Sequence, residues 1–482
     1  MKNRLIILAT IGIAACVAIA TPLFKASALS IAASLLLLTA CLLPALLWVW
    51  NGMKTLPLFE VFALAHIGYY WYPSVRAESI AWRLSEPLRI KLNLLVITFL
   101  VAGGVVYYGR LARLKKSARR PFSLWERTID MGTANIVFST GMTVWIAFQF
   151  AVIMGWIPDL GSFFGILRAA ATVAGSVSIF YFTSRIGERS LSRAISAIFF
   201  GAFTFGVLLN FASGFLINGT FLICSAMFGY AVGSKRIPIL TALVAAGLVL
   251  FLHIGKGGMR ERFWEQDIQG TTAGVNLIEL YSYWFQESWR NIGAPWSDEE
   301  ESAIASRADM LRMLALVVLE SPGELPYLNG QTYWEGLQLL VPSFFWKGRP
   351  EVHGPMQKMG IYYGVHTEET VQLTSISFGQ ISEGWANFGW LGVIGAGAFF
   401  GLFYSFGMQV AYLRPSNSIG FLFGLLFSGF AVNLEHFAGA IMMAFTQSAV
   451  LAFVGLYVLS RPKHGQPSAQ AAVAEASPAL DN

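Results

Sequence analysis

Residues 239–262, ILTALVAAGLVLFLHIGKGGMRER, decide the fold. An apolar run over 237–254, long enough to enter a bilayer, stops at Gly255 and gives way to a glycine-rich cationic turn. From Gly255 to Gly389 the chain stays polar, acid-rich and Trp-rich before apolar stretches resume. A hydrocarbon core about 30 Å thick is crossed by about 20 apolar residues of helix. A long polar excursion survives in such a chain only where water or its own fold satisfies the backbone. The reading is an all-α polytopic membrane protein interrupted once by a large outward loop.

Working outward from that break, apolar stretches fall at 5–24, 28–50, 56–73, 92–109, 136–157, 169–184, 194–211, 214–233, 237–254, 390–412, 418–434 and 439–460, which predicts about twelve transmembrane helices. The organisation is helices one to nine over 1–254, the loop over 255–389, helices ten to twelve over 390–460, and a tail over 461–482 whose Ala, Ser, Pro and Gln content predicts disorder. Hydrophobic residues make up 55% of the chain and charged residues 12%, against roughly 25% charged in soluble domains. The opening MKNRLIILATIGIAAC resembles a signal peptide, but Val17 to Phe24 continue apolar, so an uncleaved first helix is expected. The cysteines, Cys16, Cys41 and Cys224, all lie in apolar stretches, which argues against a disulfide framework or a Cys-ligated metal.

Basic residues mark the cytoplasmic side of membrane proteins. With the N-terminus inside, Lys2 and Arg4, the cluster from Arg110 to Arg127, Arg185 to Arg193, Lys235 and Arg236, Arg414, and Arg461 with Lys463 all fall on that side. The segment Ser74 to Lys91, with three arginines, is the exception and reads as an interfacial helix. The net charge of +6 is thereby spread through short loops, which accounts for it by topology and points away from nucleic acid. Both termini then lie in the cytoplasm and the loop outside. Of 27 acidic residues, 17 lie between Gly255 and Gly389 against 9 Lys or Arg, a bias tolerated on the translocated side.

Inside the loop, Ser297 to Glu300 reads as a capping box opening a helix to about Glu320, with Ile304, Ala308, Leu311, Ala315 and Val318 on one face. A second short helix is predicted over Tyr333 to Leu340. Five of the loop's cations fall in three places: Arg260 and Arg262 in GKGGMRER, Arg307, and Lys347 with Arg349 in PSFFWKGRPE. Guanidinium and ammonium groups just outside a membrane suit a lipid-linked diphosphate. Pairing with Glu261, Glu265, Asp309 or Glu351 is the alternative.

The stretch SISFGQISEGWANFGWLG carries the second constellation. On a helix, Gln380, Glu383 and Asn387 share a face. An ionisable group held at membrane depth is a functional candidate by default. Glu383, withdrawn from water, suits a general base working near neutral pH, and an ion pair with a loop arginine is its alternative role. His353 and His436 are further candidate bases, and no histidine has metal-ligand spacing. Aromatic side chains of the loop, Tyr333, Trp334, Trp346 and Trp385 among them, fit headgroup anchoring or stacking on sugars.

The layout of many spans with one late outward loop, together with PYLNGQTYWEGLQLLVPSFFWKGRPE and then ISEGWANFGWLG leading into a helix, resembles the Wzy-like oligosaccharide repeat-unit polymerases of bacterial surface polysaccharides. The specific part runs from about Arg307 to Gly392, with Gly330 to Tyr333, Pro342, Trp346, Arg349-Pro350, Glu383 and Asn387-Phe388-Gly389 matching the family pattern. Ser343 stands where a basic residue is common, and Arg349 where Lys is common.

The resemblance implies a GT-C-like inner-membrane glycosyltransferase moving a growing glycan from undecaprenyl diphosphate onto a lipid-linked repeat unit, without metal or nucleotide-sugar cofactor. It implies the lipid bilayer and the lipid-linked glycans as partners, with a chain-length regulator as a further candidate that the residues do not decide. Taken with the residue reading above, the expected site has Glu383, or failing that His353, as base, Arg260, Arg262, Arg307, Lys347 and Arg349 at the diphosphate, and Tyr333, Trp334, Trp346, Trp385 and Asn387 at the glycan. An O-antigen ligase-like transferase and a lipid-linked glycan flippase are the rival readings, the second disfavoured because the unusual residues crowd into one loop.

Overall fold

The computed structural model describes residues 27–75, 84–116, 123–157, 162–214, 216–263, 276–292, 309–341, 345–346, 348–351, 354–369 and 377–461. The predicted first span, the capping box at Ser297, Arg307, Lys347, His353 and the tail beyond Arg461 lie outside the described residues.

Among the described residues all regular structure is helical, apart from isolated bridges at Thr128. The helices are α1 Ala28–Trp50, α2 Leu58–His66, a π-helical turn Ile67–Trp71, α3 Tyr72–Val75, α4 Glu86–Lys116, α5 Met131–Ile153, α6 Ser162–Gly187, α7 Arg193–Ala212, α8 Leu216–Ser234, α9 Ile239–Ile254, α10 Lys256–Phe263, α11 Leu277–Arg290, α12 Met310–Glu320, α13 Gln331–Gln338, α14 Gly354–Tyr362, α15 Gly379–Ala411, α16 Ile419–Gly424, α17 Leu426–Phe430 and α18 Ala438–Leu459. Short polar side chains open several of them by accepting an amide of the first turn: Ser27 for α1, Asp130 for α5, Ser192 for α7, Asp309 for α12 and Ser418 for α16.

Among the described residues six helices, α1, α4, α5, α7, α15 and α18, are long and apolar enough to cross a membrane. The bent pair α9 and α10, kinked by 52° at Gly255, makes a seventh if counted as one span. Large apolar side chains such as Ile198, Leu240, Leu391 and Val458 are exposed, while Glu60, Asn93, Glu383 and Asn387 are buried. That distribution suits a surface solvated by lipid, and the chain is a multi-pass helical membrane protein.

In lipid, helices associate by close packing rather than by escape from water. Gly397 and Gly401, one turn apart on α15, lie on the backbone of α4 at Phe99 and Gly103, so that a Cβ at either would overlap a carbonyl. This contact lets α2, α4 and α15 share one aromatic core. Phe62 stacks on Phe400 at 5.6 Å and also meets Phe99 and Tyr404. Arg127, Asn417 and Arg461 come together through backbone hydrogen bonds: Ile129 N–H to Asn417, Ile419 N–H to Arg127 and Arg461 N–H to Thr128. The connections before α5 and α16 and the residue after α18 therefore meet at one place.

Several expectations shift. The stretch 56–73 is divided among α2, the π-turn and α3, and 418–434 ends earlier, at Phe430, and is divided at Leu425. The described part of the helix predicted to end at Glu320 starts at Met310, and Leu311, Ala315 and Val318 on its expected face are buried. The short helix begins at Gln331 instead of Tyr333 because Gly330, at φ +89°, turns the chain immediately before it. The charged residues after Gly255 continue as α10 rather than opening a loop. Trp284 of α11 is fully buried and donates from Nε1 to the Leu252 carbonyl at 2.6 Å, closing α11 over the bend.

Candidate functional site

The stretch ISEGWANFG starts as a helix and then breaks it. Within α15, Phe388 and Gly389 leave helical geometry, Gly389 at φ +55° and ψ −134°. In a straight helix Gly384 and Gly392 would stand about 12 Å apart along the axis. Here a Cβ on Gly384 would touch the Gly392 carbonyl at 2.9 Å, and one on Gly392 would overlap the Gly384 carbonyl. The short arm, 379–387, is therefore folded back across the start of the long arm, 390–411. Only glycines permit so close a crossing.

Three elements are tied together at the short arm. Glu383 is fully buried; its Oε1 accepts the Thr332 hydroxyl of α13 at 2.9 Å and its Oε2 accepts the Ala438 N–H of α18 at 2.8 Å. Asn387, one turn on, donates from Nδ2 to Thr332 Oγ1 and to the Glu383 carbonyl, both at 2.8 Å, and accepts the Gly330 N–H at 2.9 Å. Leu328 N–H adds a bond to the Ala386 carbonyl at 2.9 Å. The shared helix face predicted for Glu383 and Asn387 is present, and it is used to hold the Gly330–Tyr333 turn. Gln380, the third residue of that face, donates to the Asn433 carbonyl at 3.1 Å.

Aromatic residues surround this knot. Tyr333 stacks on Phe388 with ring centroids 6.4 Å apart; burial, and then the charge of Glu383, hold its hydroxyl well above the ordinary phenol range. Trp385 is buried and donates to the Ser321 carbonyl at 3.0 Å, with the Lys91 ammonium 4.5 Å over its ring. Ser321 also hydrogen-bonds Tyr363, whose hydroxyl burial pushes up to about 12. Trp334 and Trp346 are exposed.

The predicted cations divide. Arg349 donates from Nη1 to the carbonyls of Leu339 and Val341 at 3.2 and 2.9 Å, at the end of α13. Arg260 donates to the Gly214 carbonyl at 3.0 Å, and Arg262 pairs with Glu279 of α11 at 2.9 Å beneath the Tyr283 ring. These two belong to the unit in which α10 packs on α9 and α11, whereas the knot joins α13, α15 and α18. Arg262 thus meets an acid, Glu279, and Arg349 two carbonyl oxygens.

Three contributors escaped the sequence reading: Thr332, the Ala438 amide and Lys91. Thr332 lies inside the Gly330–Tyr333 motif, so its presence was marked there, but pairings over 51 and 55 residues leave no periodic signal. One cleft of about 500 Å³ adjoins the same region, between α13 and α14. Among the described residues no group of three or more His, Cys, Asp or Glu side chains is arranged to hold a metal. Comparison with protein-family models, with curated proteins and with solved structures returns no match to this chain.

Proposed function

We propose that this chain polymerises undecaprenyl-diphosphate-linked oligosaccharide repeat units at the outer face of a bacterial inner membrane. In this reading the bundle has a GT-C-like architecture of about twelve crossings, both termini cytoplasmic and 255–389 in the periplasm. The observation that carries it is the buried carboxylate of Glu383, fixed between Thr332 of α13 and the Ala438 amide, while Glu335 and Gln338 of the same α13 line a cleft. It sits within the residues that resemble the polymerase family.

In the reaction an acceptor sugar hydroxyl attacks the anomeric carbon of the donor, the bond to diphosphate breaks, and the lipid diphosphate leaves with the electron pair. Arg349 follows Gly348 and precedes Pro350, both of which line the cleft, and is assigned to the leaving diphosphate. Lys347, Arg307 and His353 remain assigned as before, to the diphosphate and as alternative base. Glu383 is fully buried in these bonds, so it accepts the acceptor's proton only when the knot opens to the substrate; while closed, it positions α13.

Transport is the second reading, favoured by a specific observation: two broken helices, at Gly255 and at Phe388–Gly389, bracket the polar segment. Broken helices line substrate sites in transporters. A strain carrying Glu383→Gln separates the readings. A polymerase defect leaves glycan of a single repeat on the surface, a ligase defect leaves none on the lipid core, and a transport defect leaves repeat units on the cytoplasmic leaflet. Full-length polymer from a stably inserted variant removes Glu383 from the chemistry.

A further inference from the structure

The helix α11 has three faces, each about a third of a turn from the next. On the first, Leu280, Trp284 and Ser288 are buried. On the second, Glu279, Gln286 and Arg290 are exposed and polar, and the acids nearby are paired: Glu279 with Arg262 at 2.9 Å, Glu287 with Arg290 at 3.8 Å. The third is apolar and uncovered. Ile278 is 79% exposed, Trp289 73%, and Phe285 is also exposed. At positions i, i+7 and i+11 these three fall in a stripe about 40° wide, which exposed Ile292 extends just past the helix end.

The place of α11 in the bundle says what meets that stripe. Leu277 and Tyr281, in its first half, pack on Ile153, Leu209 and Ala212 in the last turns of α5 and α7, and the Tyr281 hydroxyl donates to the Leu208 carbonyl. Trp284, in its second half, donates to Leu252 in the last turn of α9. A helix of 14 residues, about 21 Å long, that touches the last turns of three apolar helices lies across their ends. Since α5 and α7 are both long and apolar enough to span, those ends mark a membrane boundary. The stripe also continues the exposed apolar side of α9, where Leu240, Leu243, Val244 and Leu250 stand: Phe285 meets Phe251 of α9 with ring centroids 5.3 Å apart.

We infer that α11 lies in the plane of the membrane interface, with Ile278, Phe285 and Trp289 inserted among lipid acyl chains and its polar face in water. The partner of this surface is the bilayer itself. Four side chains in a row are far fewer than the roughly 20–30 residues a side of a stable protein interface, whereas a helix with one apolar stripe settles about 5–10 Å into the headgroup boundary. A tryptophan at that level is at home, its ring apolar and its N–H able to reach the headgroups. Lipid thus holds the segment after the Gly255 bend from one side and the bundle holds it from another, whether the chain polymerises glycan or transports it.

The test uses the full chain in phosphatidylcholine nanodiscs, with Cys16, Cys41 and Cys224 replaced by alanine and one environment-sensitive fluorophore attached at a time through Ile278→Cys, Trp289→Cys, Gln286→Cys or Arg290→Cys. All of these positions are exposed, so the label leaves the packing around Trp284 intact. Lipid carrying a nitroxide high on its acyl chain should quench the labels at Ile278 and Trp289 at least about threefold more than those at Gln286 and Arg290, and aqueous iodide should show the opposite order. If the label at Trp289 prevents insertion of the chain, Ile292→Cys supplies the same reading. Iodide reaching the stripe as freely as the polar face would put α11 in water and overturn the inference. Labels on the stripe shielded from both quenchers would mean that protein covers it, a second copy or another chain, and would overturn it equally.

Discussion

Glu383 does for α18 what a capping side chain would do: its Oε2 accepts the N–H of Ala438, the first residue of that helix, at 2.8 Å. The residue at the cap position itself is Phe437, whose side chain has no oxygen to offer. A helix start that supplies no acceptor of its own therefore draws one from a segment 55 residues away.

That dual engagement separates structure from chemistry at this residue. In Glu383→Gln the amide oxygen can still accept from Ala438 while the amide nitrogen donates to Thr332 Oγ1, so the knot persists without a proton acceptor. Glu383→Ala strands both the buried N–H and the hydroxyl, each at about 1–3 kcal/mol. The thermal midpoint followed by Trp fluorescence in detergent should fall clearly for Ala and little for Gln, whereas surface glycan should shorten in both. A Gln variant as unstable as Ala would make Glu383 a structural residue alone.

Thr332→Val tests the other half of the same knot. The substitution keeps volume but removes the oxygen that serves both Glu383 and Asn387. A loss of about 1–3 kcal/mol is expected from the two polar groups left unpaired. Thr332→Ser, which retains the hydroxyl, should restore most of it, and a Ser variant no better than Val would show that the methyl packing, not the bonds, holds α13.

How much of this was readable beforehand follows from distance along the chain. Glu383 and Asn387 are one turn apart, so their shared face could be read from spacing alone, and the folded helix keeps it. Asn387-Phe388-Gly389 was read as the entry to a span, and the long arm does begin there. The reversal at Gly389 was not readable, because it depends on Gly384 and Gly392 meeting across the fold. The charged residues Lys256 to Phe263 looked like loop by polarity. They are helical because α11, through Trp284 and Ser288 against Gly255, closes on the bend, a contact that no local pattern announces. Likewise the five loop cations looked like one set, and only tertiary packing assigns Arg260 and Arg262 to α10 and Arg349 to the end of α13.

The reversal itself makes a sharp prediction. Gly389 combines a positive φ with a ψ that side chains rarely tolerate, and a Cβ there would sit 2.6 Å from the Tyr327 hydroxyl. Gly389→Ala should cost on the order of 1–3 kcal/mol from backbone strain, and adding Tyr327→Phe should not restore it, since the strain does not depend on the hydroxyl. Gly395, on the long arm with open space around its Cα, is the control, and its Ala variant should match or exceed the parent. Equal thermal midpoints for the two variants would mean that the arms do not fold back in solution.

Trp284 allows the bend at Gly255 to be weighed in the same way. Its ring is fully buried, and its Nε1 donates to the Leu252 carbonyl in the last turn of α9. Trp284→Ala should cost about 3–5 kcal/mol through the lost packing. Trp284→Phe keeps most of the ring contact and removes only the donor, so about 1–3 kcal/mol is expected from the stranded carbonyl. The ratio matters more than either figure. If Phe were as damaging as Ala, the hydrogen bond to Leu252 would dominate and the bend would be held by polarity. If Phe were neutral, α11 would be clamped by shape alone, and the carbonyl at the break would be free to meet water or ligand when the helix pair moves.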